Sequence, residues 1–233
     1  MNELTFNGKN FTEFGAYIAS SNFLTGAKKD VSMIAIPGRS GKLMQSNDRF
    51  ENISLKVRLY ITSNMASNMN AMRNFLASCK GYCEYSESHI PGEYRLASFQ
   101  EQFDPDLYDA TGGSVLLTFD AMPQRWQTTG DSWLSVDSGD TIHNPTLHDA
   151  KPIVRIYGTG TVQIGDASIV VTTAGSEYID VDTDLFLAYE GNTNRGGNVQ
   201  IVGNPVLKGN DTTGISFGNT ITGVSIKPRW FTL

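Results

Sequence analysis

The chain has few cysteines, no cluster of basic residues and no long apolar run. Cys79 and Cys83 are its only cysteines among 233 residues, too few for the disulfide framework of a small secreted scaffold. No segment reaches the ~18 consecutive apolar residues that a membrane-spanning helix needs. The N-terminus lacks the basic-then-apolar order of a signal peptide. We therefore expect neither a membrane span nor a secretory leader.

The charge balance narrows the range of partners. The chain has 18 Lys and Arg against 24 Asp and Glu, a net charge of -6 with a pI near 5.0. Without a basic run, tight binding to the phosphate backbone of a nucleic acid is not expected. A hydrophobic content of 39% indicates a packed core and argues against disorder.

The first half of the chain is typical of β-strands around one helix. Apolar and polar residues alternate strictly over 53–61, which predicts a strand with one buried face. Met and Leu recur every three or four residues over about 64–79, which predicts an amphipathic helix. Thr62-Ser63-Asn64 is expected to cap its N-terminus. In the strand predicted over 113–121, Leu116 interrupts the polar face, so both faces are expected to be covered.

The second half differs in composition. From about Gln127 the chain becomes rich in small polar residues, and we place a domain boundary at about 128–131. Short apolar runs separated by glycine-rich turns then follow without a helical pattern, which is typical of an antiparallel β-sandwich. The predicted domains are 1–130 and 131–233.

One loop in the first domain combines a turn with charges of both signs. A strand predicted over 31–36 enters Pro37-Gly38, and the loop continues through the small residues Ser40 and Gly41. Two interpretations are open: a solvated hairpin tip, or an arm that reaches over a neighbouring molecule. The charged residues of this segment are Arg39, Lys42, Asp48, Arg49 and Glu51.

Several residue groups could carry metal chemistry, but none has a convincing pattern. Cys79, Cys83 and His89 supply three ligands, whereas zinc sites usually need four with paired short spacings. Asp180, Asp182 and a third acid at 184 alternate at a strand end, and calcium is conceivable there. We interpret that segment instead as a solvated edge strand that its charge protects from aggregation.

Catalytic patterns are equally weak. A catalytic triad could be imagined from His143 and His148 with Ser138 or Asp140. Such a triad is expected to have its nucleophile in a strand-turn-helix elbow, and the sequence pattern contains none. The tryptophans could stack on sugars or belong to the core: Trp126, Trp133 and Trp230. The sequence predicts no catalytic site, no cofactor and no metal.

Taken in order along the chain, these segments resemble the distal tail proteins of long-tailed phages, the family called Dit or phage tail component. The resemblance depends on their sequence order, since each segment alone is common. The matching segments are Phe6-Asn7-Gly8, Ile36 to Leu43, Arg49 to Asn52, the Met-rich helix with Lys80-Gly81-Tyr82, Leu117-Thr118-Phe119, Pro152 to Gly160, and Lys227 to Leu233.

The resemblance implies a mainly β fold. It predicts an N-terminal β-barrel-like or sandwich-like domain with one α-helix and a hairpin arm at about 36–52, followed by a galectin-like antiparallel β-sandwich. In the family, six copies close into a ring, and the arm reaches onto the adjacent copy. The charged arm residues named above are therefore candidates for contacts between copies.

The resemblance also implies a structural role. The protein would be a non-enzymatic hub at the distal end of a siphophage tail, assembled in the host cytoplasm. It would join the major tail tube protein to a tail-associated lysin, tail fibre or receptor-binding protein, and DNA would only pass through its opening. The alternative is a carbohydrate-binding module that contacts the host cell wall through the C-terminal sandwich.

Overall fold

A computed structural model describes residues 1–107, 112–175 and 177–233. The chain divides into two compact units, each described by itself below. Unit 1 comprises Met1–Arg125 and Leu233, and unit 2 comprises Trp126–Thr232.

Unit 1 is built from β-strands, one α-helix in its described part, and a short 3-10 helix at Phe11–Phe14. The elements in chain order are β1 (Leu4–Phe6), β2 (Lys9–Asn10), β3 (Ala16–Ser21), β4 (Lys29–Ala35), β5 (Lys42–Phe50), β6 (Ile53–Ile61), α1 (Met65–Ser78), β7 (Cys83–Glu87), β8 (Glu93–Phe99), β9 (Pro105–Leu107) and β10 (Gly113–Ala121).

Most of these strands belong to one antiparallel sheet in the order β2-β1-β7-β8-β10-β6-β3, with β9 paired to β10. The exceptions are β4 and β5, which pair only with each other in a separate two-stranded sheet. The hairpin β4–β5 is thus an insertion between β3 and β6 that takes no part in the main sheet.

The predicted strand and helix of unit 1 are confirmed. Along β6, the apolar residues are buried and the polar residues alternate with them. The methionines of α1 at 65, 69 and 72 are buried together with Leu76. Burying a side chain of this size stabilises the fold by roughly 1.5–3 kcal/mol, so the Met-rich stripe belongs to the core of unit 1.

Asn64 occupies the N-cap position of α1, as the sequence predicts, but the predicted capping by a side chain is wrong. Asn64 lies in the left-handed region with φ of 47°, and its side chain makes no capping hydrogen bond. The side chain of Asn68 instead donates to the carbonyl of Ser63 at 2.8 Å. The backbone conformation of Asn64 therefore determines that its side chain does not cap the helix. The residue type alone does not reveal this conformation.

The prediction for Leu116 is also wrong. Its neighbours Val115 and Leu117 are fully buried on the inner face of β10, while Leu116 lies on the outer face and is 41% exposed. The described residues therefore leave that face of the strand partly open at this position.

Unit 2 contains no α-helix in its described residues, but has short 3-10 helices at Thr128–Asp131 and Gly196–Asn198. A strand at its start, β11 (Arg125–Gln127), pairs with the last strand, β23 (Phe231–Thr232). The intervening strands are β12 (Leu134–Val136), β13 (Thr141–His143), β14 (Ile153–Gly158), β15 (Gly160–Ile164), β16 (Ala167–Val171), β17 (Ile179–Asp182), β18 (Leu187–Glu190), β19 (Thr193–Asn194), β20 (Val199–Val202), β21 (Thr212–Phe217) and β22 (Ile221–Lys227).

These strands form two antiparallel sheets, in the orders β12-β22-β14-β17-β18-β19 and β13-β21-β15-β16-β20. The apolar residues of both sheets contribute to one buried core, as in Ile156 and Val181 from the first sheet and Val162 and Ile215 from the second. The predicted antiparallel sandwich is confirmed. No helix among the described residues is long and apolar enough to span a membrane.

Candidate assembly interface

The hairpin Lys29–Phe50, called the arm from here on, has a defined register. Met33 pairs with Met44 and Ile34 pairs with Leu43 across the two strands. Because paired residues of an antiparallel ladder lie on the same face, and successive residues alternate, these two pairs lie on opposite faces. The arm therefore presents an apolar pair on each of its two faces.

Both faces are exposed. Met33 and Met44 are 57% and 61% exposed on one face, and Ile34 and Leu43 are 43% and 46% exposed on the other. Burying large apolar residues stabilises a fold, and contiguous exposed ones commonly mark an interaction surface. The distal arm, residues 31–47, is thus an apolar element that the described part of the chain leaves exposed.

The tip of the arm depends on glycine. Gly38 and Gly41 have φ of +79° and +86°, in the region that other residues adopt with strain. The amide of Arg39 donates to the carbonyl of Ile36 at 3.2 Å and closes the turn. Arg39 and Lys42 are exposed at this end of the arm, so the distal arm has two cations beside its apolar pairs.

Other predicted arm residues lie in ion pairs at the base. Arg49 donates to Asp30 at 2.6 Å, and this hydrogen bond is the main reason that the pKa of Asp30 lies below its usual value. Lys28 contacts Glu51 at 3.2 Å. Asp48 has φ of 52° and accepts a hydrogen bond from a serine two residues earlier in β5. These groups stabilise the base of their own hairpin.

The segment that leads into the arm is held by Arg95, which is fully buried in β8. Its guanidinium donates twice to the carbonyl of Phe23, at 3.1 and 3.0 Å, and once to the carbonyl of Thr25 at 2.8 Å. It also donates to the carbonyl of Pro123 at 2.9 Å. Burial lowers the pKa of Arg95 to about 10. One side chain of β8 thus fastens Phe23 and Thr25, in the segment that precedes the arm, to the main sheet.

The segment that follows the arm is held at Asn52 by a second group of polar residues. The side chain of Asn52 donates to Tyr82 Oη at 2.6 Å and to the Asp120 carboxylate at 2.8 Å. Tyr82 also donates to Asp120 at 2.7 Å, which raises the pKa of the tyrosine. The segments on both sides of the arm are therefore fixed within unit 1, while the apolar residues near its tip are exposed.

No metal-binding cluster of His, Cys, Asp and Glu occurs among the described residues. The thiol of Cys79 donates to a carbonyl of its own helix, Phe75, at 3.4 Å. Burial is the main cause that raises the pKa of the Cys83 thiol, which disfavours the thiolate that a zinc ligand requires.

Of the four residues considered for a catalytic triad, Ser138, Asp140 and His148 each make a contact within unit 2. Ser138 Oγ donates to the carbonyl of Phe217 and accepts from its amide, both at 2.8 Å. The carboxylate of Asp140 accepts from the amide of Asp137. His148 stacks on Phe231 with ring centroids 5.5 Å apart. These contacts support the turns and the core of unit 2.

The interpretation of Asp180 and Asp182 as a solvated edge strand is wrong. Their strand, β17, lies between β14 and β18, and both side chains are buried. Arg155 donates to Asp180 through two nitrogens at 2.7 and 2.8 Å, and Arg229 donates to Asp182 at 2.8 Å. The acids belong to ion pairs that cross strands inside unit 2.

Each of the three tryptophans contacts other residues of unit 2. Trp230 is 6% exposed in the core of unit 2, and Trp126 packs on Phe231. Trp133 is 37% exposed, but the Arg155 guanidinium lies 4.4 Å from its ring centroid. A depression of about 400 Å³ on unit 2 has no aromatic side chain in its lining. Saccharide sites of the stacking type need such a ring.

The sequence pattern does not single out the apolar residues that define this surface. It predicts 31–36 as a strand that precedes the arm, whereas in the structure this stretch belongs to the hairpin. A usable signal exists in the sequence, because apolar residues precede Pro37-Gly38 and reappear as Leu43 and Met44 shortly after Gly41. A turn flanked by two such runs is a hairpin signature. Arg95 offers no comparable signal.

No protein-family model matches the chain. No curated protein matches it either.

Solved structures do match. The SPP1 Dit protein, a paradigm of the hub adsorption apparatus in phages that infect Gram-positive bacteria, is 13% identical, with a TM-score of 0.76 over 100% of both chains. A chain of the phage P2 baseplate in its activated conformation with calcium is 12% identical, with a TM-score of 0.61 over 99% of this chain and 98% of the other. Similarity at this level of identity establishes the fold. The protein thus has the Dit-like fold that its sequence resemblance predicted.

Proposed function

We propose that this protein is the distal hub of a siphophage tail, a structural virion protein with no catalytic role. Its copies close into a hexameric ring that joins the tail tube to the tail-tip or receptor-binding proteins. The opening of the ring lets DNA pass. Assembly takes place in the host cytoplasm, and the protein acts at the distal end of the tail.

The arm is the observation that carries this proposal. A ring requires a heterologous contact, in which one surface of a copy meets a different surface of the next. The exposed apolar pairs of the distal arm provide the first surface, and the fixed base gives the arm a defined direction within unit 1. An interaction element that is ordered before binding loses less entropy on association.

The fold and the charge agree with this role. The chain aligns over its whole length with the whole SPP1 Dit chain, and that protein is described as a paradigm of a hub adsorption apparatus. A net charge of -6 disfavours strong retention of a polyanion on its way through an opening. The predicted partners are the major tail tube protein on one side and a tail-associated lysin, fibre or receptor-binding protein on the other.

An arm-shortened variant tests the proposal. Ser32 pairs with Gln45 in the ladder, so replacing residues 33–44 by Asn-Gly joins them through a two-residue turn that suits a hairpin. We expect the variant to keep the stability of both units and to lose the oligomer in sedimentation velocity. An unchanged oligomer with unchanged stability would contradict the role of the arm.

A further inference from the structure

The two cysteines of the chain meet at one turn of unit 1. Cys79 is the residue that ends α1, and Cys83 is the first residue of β7. Between them, Gly81 has φ of +68°, in the left-handed region that glycine adopts without strain. Both side chains are free thiols, and that of Cys79 lies within hydrogen-bonding reach of that of Cys83. The turn therefore holds a pair of neighbouring thiols.

The two thiols differ in their access to solvent. Cys79 is partly exposed, whereas Cys83 is 9% exposed and belongs to the core of unit 1. The side-chain amide of Asn7 donates to the sulfur of Cys79 at 3.6 Å, and a donor of this kind favours the thiolate. The thiol of Cys83 donates to the carbonyl of Lys80 at 3.7 Å, and its burial disfavours ionisation. Cys79 is thus the thiol that reacts first with a reagent from solvent.

We infer that Cys79 and Cys83 are a redox modification site, which closes to a disulfide by exchange with a low-molecular-weight disulfide such as oxidised glutathione. The inference rests on the proposed function only for the change of compartment. Assembly takes place in a reducing cytoplasm, which keeps thiols reduced, and the virion then acts in an oxidising medium outside the cell.

The exchange has two balanced steps. The thiol of Cys79 gives its proton to water, and the thiolate attacks one sulfur of oxidised glutathione and displaces the other half as glutathione thiolate. Cys83 then gives up its proton and attacks the sulfur of Cys79, which breaks the mixed disulfide and releases the second glutathione. The protein loses two electrons and two protons, and the small disulfide gains both.

The bond connects the end of α1 to β7, which pairs with β1 and β8 in the main sheet. It closes a loop of only five residues, 79–83, and a cross-link stabilises a protein mainly by restricting its unfolded chain. We expect the melting temperature of unit 1 to rise by a few degrees on oxidation and to fall back on reduction. An unchanged melting temperature in the fully oxidised protein would contradict this stabilising role.

Peptide mapping of the full chain tests the bond itself. The protein is equilibrated with mixtures of reduced and oxidised glutathione, its remaining thiols are alkylated, and it is digested without reductant. Trypsin cleaves after Lys80, so an internal disulfide joins the peptides 74–80 and 81–95, which the reduced protein yields separately. We expect the joined pair from protein that has the intact mass of one chain less two hydrogen atoms. Two free thiols in the most oxidising mixture, or a stable glutathione adduct without the internal bond, would overturn the inference.

Single variants test the order of attack. In Cys83→Ala the second step is impossible, so we expect a mixed disulfide of Cys79 with glutathione to accumulate, visible as an increase in intact mass. In Cys79→Ala the remaining thiol is buried, and we expect its adduct to form at least about tenfold more slowly. Equal rates in the two variants would contradict the assignment of Cys79 as the attacking thiol.

Failure of this inference is distinguishable from failure of the proposed function. A protein that forms rings but keeps both thiols free in the most oxidising mixture overturns the redox site alone. A protein that forms the disulfide but stays monomeric at high concentration contradicts the proposed ring and leaves the redox chemistry established.

Discussion

Arg95 donates two hydrogen bonds to the carbonyl oxygen of Phe23, which lies 72 residues earlier in the chain. The guanidinium is fully buried and reaches further carbonyls on the segment entering the arm and on the chain after β10. A planar group with five donors can satisfy several carbonyls from one position. The base of a projecting hairpin is thereby fixed from inside the core.

Removing this arginine should loosen the base of the arm. In Arg95→Met we expect unit 1 to lose roughly 3 kcal/mol of unfolding free energy, because buried carbonyls lose their donors. Urea unfolding, followed by the circular dichroism signal of the helix α1, measures this loss of free energy. Amide hydrogen exchange over 22–28 should accelerate as well. Arg73→Met, at an exposed site on α1, should cost less than about 0.5 kcal/mol. Unchanged exchange over 22–28 would contradict the anchoring role.

The pair of Arg155 and Asp180 should stabilise unit 2. Arg155→Met leaves a buried carboxylate without its bidentate partner, and we expect a loss of roughly 3 kcal/mol. All three tryptophans lie in unit 2, so tryptophan fluorescence in urea reports on this unit. The double variant Arg155→Met/Asp180→Leu should recover much of the loss, because it removes the unpaired charge. If the double variant loses as much unfolding free energy as the two single variants lose together, the pair is not coupled.

Tyr85 should make the stability of unit 1 depend on alkaline pH. Its hydroxyl donates to the buried carboxylate of Glu87, and burial is the main cause that raises its pKa well above 10. Above pH 10 the unfolded chain releases this proton while the folded chain retains it, so stability falls as pH rises.

The variant Tyr85→Phe isolates this effect. At pH 7 we expect it to be less stable by about 1–3 kcal/mol, because Glu87 loses a buried donor. Above pH 10 the difference should shrink, since phenylalanine does not titrate. Urea unfolding at pH 7 and at a series of pH values above 10 gives the comparison. A difference that is constant with pH would contradict the raised pKa.

The tryptophans should separate a structural role from a sugar-binding one. Trp230→Ala opens a cavity in the core of unit 2 and should cost roughly 3–5 kcal/mol. Trp133→Ala removes a cation–π contact with Arg155 and should cost about 1 kcal/mol. Differential scanning calorimetry measures both losses of stability.

Binding of the folded Trp133→Ala variant and of the parent to a panel of cell-wall glycans should be equally absent. Glycan binding by the parent that Trp133→Ala abolishes would restore the alternative of a carbohydrate-binding module.

The features predicted correctly from sequence are those whose cause is local. The alternation of β6 and the Met stripe of α1 repeat every two or every three to four residues, so a short window contains the whole signal. The many glycine-rich turns of unit 2 likewise predict short antiparallel strands. The order of such segments along the chain was enough to predict the Dit-like fold.

The features that were missed depend on distant partners. Asp180 and Asp182 are buried because Arg155 and Arg229 lie 25 and 47 residues away along the chain. Arg95 acts on carbonyls that any residue could supply, so no sequence pattern marks it. The apolar residues of the arm predict a strand correctly, but only the structure reveals that no element of the described chain covers them.

Electron microscopy of the purified protein, with its mass in solution, tests the central claim most directly. We predict rings of six copies around an open centre, in which density for the arm of each copy continues into the next. Solitary subunits at high protein concentration, with residues 29–50 packed against their own chain, would contradict the account.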